Sequence, residues 1–391
     1  LFQTTDYGST WKRIDKGIHR EHFTRVIREI PDHPGWLVAG TERGLYISDH
    51  GGMGWDTFQH NMPVVPITDI TFKEGHMILA TQGRGIWILD DLTPLLTWKT
   101  ARQSSTAYLY PPRAIWRIPG YRQRNPAEAG TNHPEGLNAY FYLPAWKDQD
   151  TLQLTIRDSQ GQIVRQWGNR MKDKQDKIDV KAGLNQFGWN LNYPSARDFE
   201  GMVLWWATLE GPMALPGSYQ MELAWRGNTV TQPFTVLADP RIDDSMTSLQ
   251  EQFQFLQEVQ STVSKAHETI EEIRTIRKQT RQFLQLVPGD SLYHDLRMEC
   301  QRIDSLITGL EEQLYQTRNE SSQDPLNFPI RLTNKLAHLN NVVREGPYAP
   351  TSQARAVKEE LEQEILTIVD EWQAIKTETL PRLNASIRDA A

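Results

Sequence analysis

The first quarter of the chain alternates apolar and polar residues. This period of two is typical of β-strands, because successive side chains of a strand point to opposite faces of the sheet. Turns rich in Pro and Gly separate the alternating segments. The segments are FTRVIREI (23–30), WLVAGT (36–41), LYIS (45–48), ITDITF (67–72), MILAT (77–81) and IWIL (86–89). We therefore predict a series of short antiparallel strands.

This strand pattern repeats along the chain. LVAGTERGLYISDH (37–50) aligns with ILATQGRGIWILDD (78–91) at an offset of 41 residues. A second correspondence, at an offset of 44, matches Trp11 with Trp55. Repeats of about 40–45 residues, with about four strands each, are typical of β-propeller blades. The pattern predicts that residues 1–98 form a partial β-propeller consisting of its last blades.

A turn motif, TTDYGSTW (4–11), carries the most specific signal. It resembles the Asp box of BNR-repeat and sortilin-type β-propellers, and a partial second copy reads SDHGGMGW (48–55). The matching residues are Thr4, Asp6, Gly8, Thr10 and Trp11 in the first copy and Ser48, His50, Gly52 and Trp55 in the second. A short carboxylate can accept backbone N–H groups across a tight turn, Gly supplies a positive φ, and Trp packs between sheets. We therefore expect a structural role for these residues.

The resemblance continues through RVIREIPDHPGWLVAGTERGLYIS (25–48) and ATQGRGIWILDDLTPL (80–95). Both segments are similar to the last blades of large bacterial proteins described as sortilin-like or glycosyl hydrolase-like BNR propellers. A β-sandwich and a helical tail follow the propeller in that family, which implies a multidomain chain with β structure before α. The resemblance also implies an exported protein, secreted, periplasmic or on the cell surface, with further repeats and a signal peptide ahead of Leu1. Fold analogy alone does not establish chemistry.

The middle of the chain predicts a second β unit. Residues 136–238 contain about seven short alternating strands, which favours an immunoglobulin-like β-sandwich. We expect Trp189, Tyr219 and Phe234 in its core. Residues 99–135 are poor in alternation and rich in Pro, which indicates an extended linker between the two β regions.

The tail, residues 239–391, has apolar residues at steps of three and four, as on one face of an amphipathic helix. This spacing predicts four helices over 245–288, 291–314, 328–344 and 352–379. The loops between them favour an antiparallel helical bundle. A coiled-coil arm that forms a dimer is the alternative with the same periodicity. Self-association through these helices is therefore one expected interaction.

Charge and composition limit the partners. The formal net charge is −7; residues 1–238 carry 25 basic and 24 acidic side chains, and residues 239–391 carry 17 and 25. An acidic tail without a basic stripe argues against nucleic acid as a partner. No apolar run reaches the roughly 18 residues that span a bilayer. Cys300 is the single cysteine, and the histidines lack metal-ligand spacing, so we expect neither a metal nor a cofactor.

Two groups of residues in the repeats have chemistry suited to a ligand site. Arg43 and Arg84 occupy equivalent positions, and guanidinium groups bind carboxylates; alternatively, they hold neighbouring blades through backbone carbonyls. Glu42, with Asp90 or Asp91, could supply the acid and base that glycosidases place on either side of the scissile bond. The competing interpretation is that these three carboxylates are solvated surface groups.

A third candidate is the pair Trp205 and Trp206. Aromatic faces stack on the apolar faces of sugars, so the pair could form a sugar-binding platform. In an alternating strand one of two adjacent rings points inward. Packing and contact between domains is therefore the competing interpretation.

The residues and the resemblance together favour a binding protein, in which propeller loops bind a protein or glycan ligand without catalysis. The alternative is a glycoside hydrolase that acts on polysaccharide, with its catalytic acids mostly outside this chain. A third hypothesis is a scaffold in an envelope complex.

Overall fold

A computed structural model describes residues 1–118, 134–242, 246–286 and 293–390. Its first three sheets are antiparallel and follow one another along the chain, and we call them units 1, 2 and 3. Unit 1 contains β1 (Phe2–Gln3) and β2 (Lys12–Arg13). Unit 2 contains β3 (Thr24–Glu29), β4 (Leu37–Thr41), β5 (Gly44–Ser48) and β6 (Asp56–Thr57). Unit 3 contains β7 (Ile67–Lys73), β8 (His76–Thr81) and β9 (Ile86–Leu89).

Units 1 and 2 share one strand register. Phe2 pairs with Arg13 in unit 1, and Tyr46 pairs with Thr57 in unit 2. Both partners are thus displaced by the same 44 residues that separate the two copies of the turn motif. Strands β1 and β2 therefore correspond to β5 and β6, and the motif joins the last two strands of each unit.

Units 2 and 3 pack face to face. Side chains alternate between the two faces of a sheet. We call the face that packs on the following unit the front face, and the face that packs on the preceding unit the back face. Val38, Leu45 and Ile47 lie on the front face of unit 2, and they share one buried core with Met77 and Leu79 on the back face of unit 3.

Units 1 and 2 pack through the same kind of interface. Ala39, Tyr46 and Trp55 lie on the back face of unit 2 and form a core with Leu1 of unit 1. The indole Nε1 of Trp55 also donates a hydrogen bond of 2.6 Å to the carbonyl of Ile14. One front-to-back interface is therefore used twice in this stack.

Unit 3 ends differently from unit 2. In unit 2, β5 pairs with β6, whereas in the described part of the chain β9 is the outer strand of its sheet. The chain instead continues into helix α1 (Thr93–Gln103), whose first turn contains Pro94. The sheets of these described residues are open, and they do not form a closed ring of blades.

Two further sheets enclose a second core. Their strand orders are β10-β12-β15 and β11-β17-β16-β13-β14. The strands are β10 (Tyr108–Leu109), β11 (Ile115–Trp116), β12 (Leu137–Leu143), β13 (Leu152–Arg157), β14 (Ile163–Gly168), β15 (Gly183–Trp189), β16 (Gly217–Trp225) and β17 (Asn228–Leu237). Trp189, Tyr219 and Phe234 are buried together there, as predicted. Strands β10 and β11 lie in the predicted linker, of which residues 119–133 are outside the described residues.

The remainder of the chain is helical. The helices are α2 (Met246–Leu286), α3 (His294–Leu314), α4 (Leu332–Arg344), α5 (Ser352–Ala374) and α6 (Leu380–Ala390), and a π-helical segment (Ile375–Thr379) joins α5 to α6. The last predicted helix ended near residue 379, but the structure continues the helical path to Ala390. The wider π turn accommodates Pro381, which has no backbone N–H to donate. Pro288, Gly289 and Ser291, where we placed a helix boundary, lie outside the described residues.

Ion pairs show the directions of the helices. The ion pairs Arg281–Asp304 and Arg274–Glu311 join α2 to α3. The residue number falls along α2 as it rises along α3, so these two helices are antiparallel. The pairs Glu251–Arg355 and Glu258–Lys358 join α2 to α5, and Glu272–Lys376 joins α2 to the π-helical segment that continues α5; the residue numbers rise together, so the helices run in the same direction. The predicted antiparallel arrangement is therefore correct for α2 and α3 and wrong for α2 and α5. The reason is that α3 and α4 both run back along α2 before α5 begins, since Gln252 of α2 donates to the carbonyl of Val343 at the end of α4.

Candidate functional site

Asp6 closes the turn of unit 1. Its Oδ1 accepts the N–H of Thr10 at 2.8 Å, and its Oδ2 accepts the Thr10 hydroxyl at 2.6 Å. The Thr4 hydroxyl donates to Asp6 Oδ1 at 2.8 Å and accepts the N–H of Gly8 at 2.8 Å. These hydrogen bonds, that from the Thr10 hydroxyl first, lower the pKa of Asp6 to about 2. This geometry supports a structural role for the carboxylate.

The second turn keeps part of this network. Ser48 Oγ accepts the N–H of Gly52 at 3.0 Å, which repeats the bond between the first and fifth residues of the unit 1 turn. His50 occupies the position of the aspartate, and its Nδ1 lies 2.6 Å from Oδ1 of Asp49. Asp49 also pairs with Lys99 of α1. The second turn is therefore linked to α1 by an ion pair.

Arg43 and Arg84 lie in equivalent hairpin turns, and both are exposed. In each hairpin a threonine hydroxyl donates to the carbonyl of a glycine across the turn: Thr41 to Gly44 at 2.9 Å and Thr81 to Gly85 at 2.6 Å. The threonines are 40 residues apart and the glycines 41, so the second turn contains one extra residue. The ungapped alignment of these strands was therefore wrong by one residue on the β8 side.

The carboxylates proposed for catalysis make structural contacts. Glu42 forms an ion pair with Arg25. Asp91 is buried, and its Oδ1 accepts the N–H of Thr93 at 2.8 Å at the start of α1. Asp90 precedes it at the end of unit 3. The structure thus places Glu42 in the β4–β5 turn and Asp90 and Asp91 at a strand-to-helix connection.

Trp205 and Trp206 lie in the loop that connects β15 to β16, residues 190–216, which leaves its sheet and lies on the helices. The expectation that this pair belongs to an alternating strand was wrong. Their rings stack, with centroids 6.1 Å apart and an interplanar angle of 24°. Trp205 is half-buried, whereas 72% of Trp206 is exposed. One face of the Trp206 indole therefore rests on Trp205, and the ring is open to solvent.

Helix α4 holds the backbone of both tryptophans. Asn334 accepts the N–H of Trp205 at 2.8 Å and donates to its carbonyl at 2.9 Å. The carbonyl of Trp206 accepts hydrogen bonds from His338 Nδ1 and, at 3.1 Å, from Asn341 Nδ2. The position of the aromatic pair is thus set by side chains that lie far away in the sequence.

The following residues of the loop are held in the same way. Asn340 is buried, and its Nδ2 donates to the carbonyls of Thr208 at 3.2 Å and Glu210 at 2.8 Å. Gln260 of α2 donates to the carbonyl of Leu209 at 3.3 Å. We call the asparagine and histidine side chains of α4 that contact the loop the α4 clamp: Asn334, His338, Asn340 and Asn341.

The loop also carries an aromatic anchor, Phe199. Its ring contacts His267 and Tyr315 edge to face, each at a centroid distance of 5.0 Å, and the Arg274 guanidinium lies 4.6 Å from its centroid. His267 is fully buried and its Nδ1 donates to the carbonyl of Arg197. Within the described residues its Nε2 has no hydrogen-bond partner, and burial lowers the pKa of His267.

Trp206 has a backbone conformation that is rare for its residue type. Its φ is 49°, in the left-handed region that non-glycine residues seldom adopt. Such conformations cost about 1–3 kcal/mol and persist where the surroundings determine them. Here the α4 clamp holds the backbone in this conformation, because two of its members donate hydrogen bonds to the Trp206 carbonyl. The result is a held backbone that presents an exposed indole beside Trp205.

Sequence reasoning identified the two tryptophans but not the α4 clamp. The available signal was the number of asparagines in the short helix α4, since Asn competes with the helix backbone for hydrogen bonds and is uncommon inside helices. The partners of these asparagines lie about 130 residues away, for example 129 between Trp205 and Asn334. Only the fold could assign them.

Two other kinds of site are absent from the described residues. None of the helices there is both long and apolar enough to cross a membrane. That part of the chain also brings together no group of three or more His, Cys, Asp or Glu side chains that could hold a metal ion.

Comparisons with known proteins do not assign a family. No family model matches the sequence, and no curated protein matches it. Among solved structures, the extracellular domain of a putative hybrid two-component system from B. thetaiotaomicron is similar to 60% of this chain, with 13% sequence identity and a TM-score of 0.19. The match spans 28% of that structure. A TM-score of this size does not establish a common fold.

Proposed function

We propose that this chain is a non-catalytic, glycan-binding part of an exported bacterial Asp-box propeller protein, and that the glycan stacks on Trp206. Units 1 to 3 would be the last blades of the propeller, and the two following sheets an immunoglobulin-like sandwich. The platform lies on the loop between the sandwich and the helices. A secreted, periplasmic or cell-surface location belongs to the same proposal.

The observation that carries the proposal is the exposed indole of Trp206 on a backbone that the α4 clamp holds. Exposing a large aromatic ring forgoes the favourable free energy of burying it. The left-handed backbone adds strain, and the α4 clamp holds the residue in that conformation. Strain and exposure combined at one aromatic residue are typical of binding sites, where a fixed ring loses little conformational entropy when a ligand docks.

The stacked units support the propeller part of the proposal. The register of the hairpins repeats at an offset of 44 residues, and one front-to-back interface is used twice. Radial repetition of small sheets through one interface is how propellers are built. The glycoside hydrolase alternative gains no support from Glu42 or Asp91, because both carboxylates already have structural partners.

The test is oligosaccharide binding by Trp206→Ala. We expect the full chain to bind at least one member of a panel of neutral oligosaccharides (cellohexaose, xylohexaose and mannohexaose), measured by isothermal titration calorimetry. Loss of a stacking contact that contributes about 1.4 kcal/mol to the binding free energy corresponds to about tenfold weaker binding. Trp98→Ala removes another partly exposed tryptophan, on α1, and serves as the matched control with unchanged affinity.

The proposal is overturned if no oligosaccharide of the panel binds, or if Trp206→Ala binds as tightly as the unaltered chain. Hydrolysis of any panel member by this chain, followed by reducing-end assay, would instead favour the hydrolase. The Trp206 side chain is exposed, so the variant is expected to fold, which circular dichroism checks.

A further inference from the structure

The outer face of the three-stranded sheet β10-β12-β15 carries aromatic and polar side chains. Alternate residues of β12 and β15 are buried in the core between the two sheets, so the residues between them lie on the outer face. Cross-strand neighbours on this face are Tyr108 and Tyr142, then Tyr142 and Leu184, and in the next row Tyr140 and Gln186. The outer face therefore combines aromatic rings with uncharged hydrogen-bonding groups.

One part of this face is covered and another part is open. Helix α1 contacts β12, and Tyr110, whose N–H donates to the carbonyl of Tyr140, is only 3% exposed. Beside β15, by contrast, Leu184 is 45% exposed, and Gln186 is exposed as well. A groove of about 490 Å³ lies there, and its lining includes Tyr140, Leu184, Gln186 and residues 179–181. Its volume falls within the roughly 300–1,000 Å³ of sites that bind small ligands.

Hydrogen bonds hold the side chains and the backbone of this groove. Gln186 Nε2 donates to Asn138 Oδ1 at 2.8 Å, and Asn138 Nδ2 donates to the Tyr140 hydroxyl at 3.0 Å. The backbone of Lys181 is held as well, because Asn185 Oδ1 accepts its N–H at 2.9 Å and Asn185 Nδ2 donates to its carbonyl at 2.7 Å. Asn138 and Asn185 are both buried. Groups that are already ordered lose less conformational entropy when a ligand binds.

Several hydrogen-bonding groups of the groove remain available to a ligand. Within the described residues, the Tyr140 hydroxyl proton and Gln186 Oε1 have no protein partner. The side chains of Asp179 and Lys181 are exposed and form neither an ion pair nor a hydrogen bond in that part of the chain. Together these groups offer donors and acceptors, while the Tyr140 ring and Leu184 offer apolar surface. Sugars present the matching combination of hydroxyl groups and apolar ring faces.

We propose that this groove, which we call the β15 groove, binds a neutral oligosaccharide and is a second glycan site besides Trp206. A neutral ligand fits because the charges of Asp179 and Lys181 are opposite. A peptide added as an extra strand fits less well, since Asn185 ties Lys181 beside the first half of β15. The groove lies at the start of β15, whereas the loop of Trp206 follows its end, so the two sites are separate. Two sites on one chain raise the avidity for a long polysaccharide.

The test measures the groove in the Trp206→Ala chain, where the platform no longer contributes its stacking contact. Gln186→Ala removes an acceptor, and Tyr140→Phe removes the hydroxyl and keeps the ring. Loss of one hydrogen bond to the sugar should weaken binding of the same hexasaccharide panel about fivefold in isothermal titration calorimetry. Gln220→Ala is the matched control and should leave the affinity unchanged, because Gln220 is an exposed glutamine on β16 in the other sheet. The unaltered chain should bind two hexasaccharides.

The outcomes separate this site from the one at Trp206. If Gln186→Ala and Tyr140→Phe, both folded by circular dichroism, bind as tightly as the Trp206→Ala chain, the β15 groove is not a glycan site, whatever Trp206→Ala itself does. If they weaken binding and Trp206→Ala alone does not, the groove stands and the site at Trp206 falls. Absence of binding by the unaltered chain overturns both. Weakening by Gln220→Ala equal to that by Gln186→Ala also overturns the groove.

Discussion

The N-terminal stack and the clamped loop bury their aromatic residues in different ways. In the stack, Trp11 and Trp55 come from two copies of one motif, and a neighbouring unit decides which of them is buried. In the loop, Phe199 is buried by a specific set of helix side chains that occurs once. Burial in a repeat therefore depends on whether a neighbouring unit is present, whereas Phe199 is buried by contacts that are specific to this loop and its helices.

The largest expected effect is a difference in local stability between variants of the two tryptophans of the stack. Trp55→Ala removes a buried indole and its hydrogen bond to Ile14, which should cost about 3–5 kcal/mol of local stability. Trp11→Ala removes an exposed indole and should change local stability by less than about 0.5 kcal/mol. Hydrogen exchange of the β4 and β5 amides measures the effect of Trp55→Ala, and exchange of the β1 and β2 amides measures that of Trp11→Ala. Equal costs at the two positions would show that the motif, rather than the neighbouring unit, determines the contribution of each tryptophan.

A second expected effect concerns the α4 clamp. Asn340→Ala leaves the carbonyls of Thr208 and Glu210 without their buried donor, which should cost about 1–3 kcal/mol. Asn341→Ala is the matched control, since Asn341 is only partly buried and the Trp206 carbonyl keeps its bond from His338. Amide exchange in residues 206–211 should accelerate in the first variant more than in the second. The reverse order would contradict the assignment of Asn340 as the stronger holding residue.

A third effect is the pH dependence of the loop anchor. Burial lowers the pKa of His267 from 6.5, so the unfolded chain binds a proton more readily than the folded one. The free energy of unfolding should therefore fall as pH decreases below roughly 6.5. His267→Gln has no such proton, and its unfolding free energy should depend less on pH over this range in urea titrations. An unchanged pH slope in this variant would contradict the role of His267.

The smallest expected effect is at the exposed turn of unit 1. Hydrogen bonds from Thr10 and then Thr4 lower the pKa of Asp6 from 3.8 to about 2, so its contribution is complete above 3.8 and is lost as pH falls toward 2. Asp6→Asn removes the negative charge that these donors stabilise. Its Thr10 amide should exchange faster than in the unaltered chain at neutral pH and the same at the acid limit. Equal exchange at neutral pH would mean that the carboxylate does not hold the turn.

Local patterns predicted the parts of the fold in which neighbours in sequence are neighbours in space. The offset of 44 residues between Trp11 and Trp55 predicted hairpins of one register, because the turn motif and its strands are contiguous. The helical steps of the tail predicted helices α2 to α5 for the same reason. The extra residue in the β8–β9 turn was missed because an ungapped alignment keeps Arg84 and Gly85 in place and hides it.

The candidate site was only half predictable. Trp206 is visible in the sequence as an aromatic pair, but its exposure and left-handed backbone depend on His338 and Asn341, which approach only after the helices pack. Helix direction was missed for a related reason. Periodicity identifies which face of a helix is buried and is the same for either direction, so the parallel arrangement of α2 and α5 followed only from the path of α3 and α4.

By itself, the sequence determined the strands, the repeated turns, the helices and the apolar faces of each, since these depend on the residue order and on backbone geometry. Only the tertiary structure decided which equivalent faces are covered, which carboxylates already have partners, and which tryptophan faces solvent. The physical reason is that burial and hydrogen bonding depend on groups from distant parts of the chain. Trp11 and Trp55 have the same motif and different surroundings, and the surroundings determine what each can do.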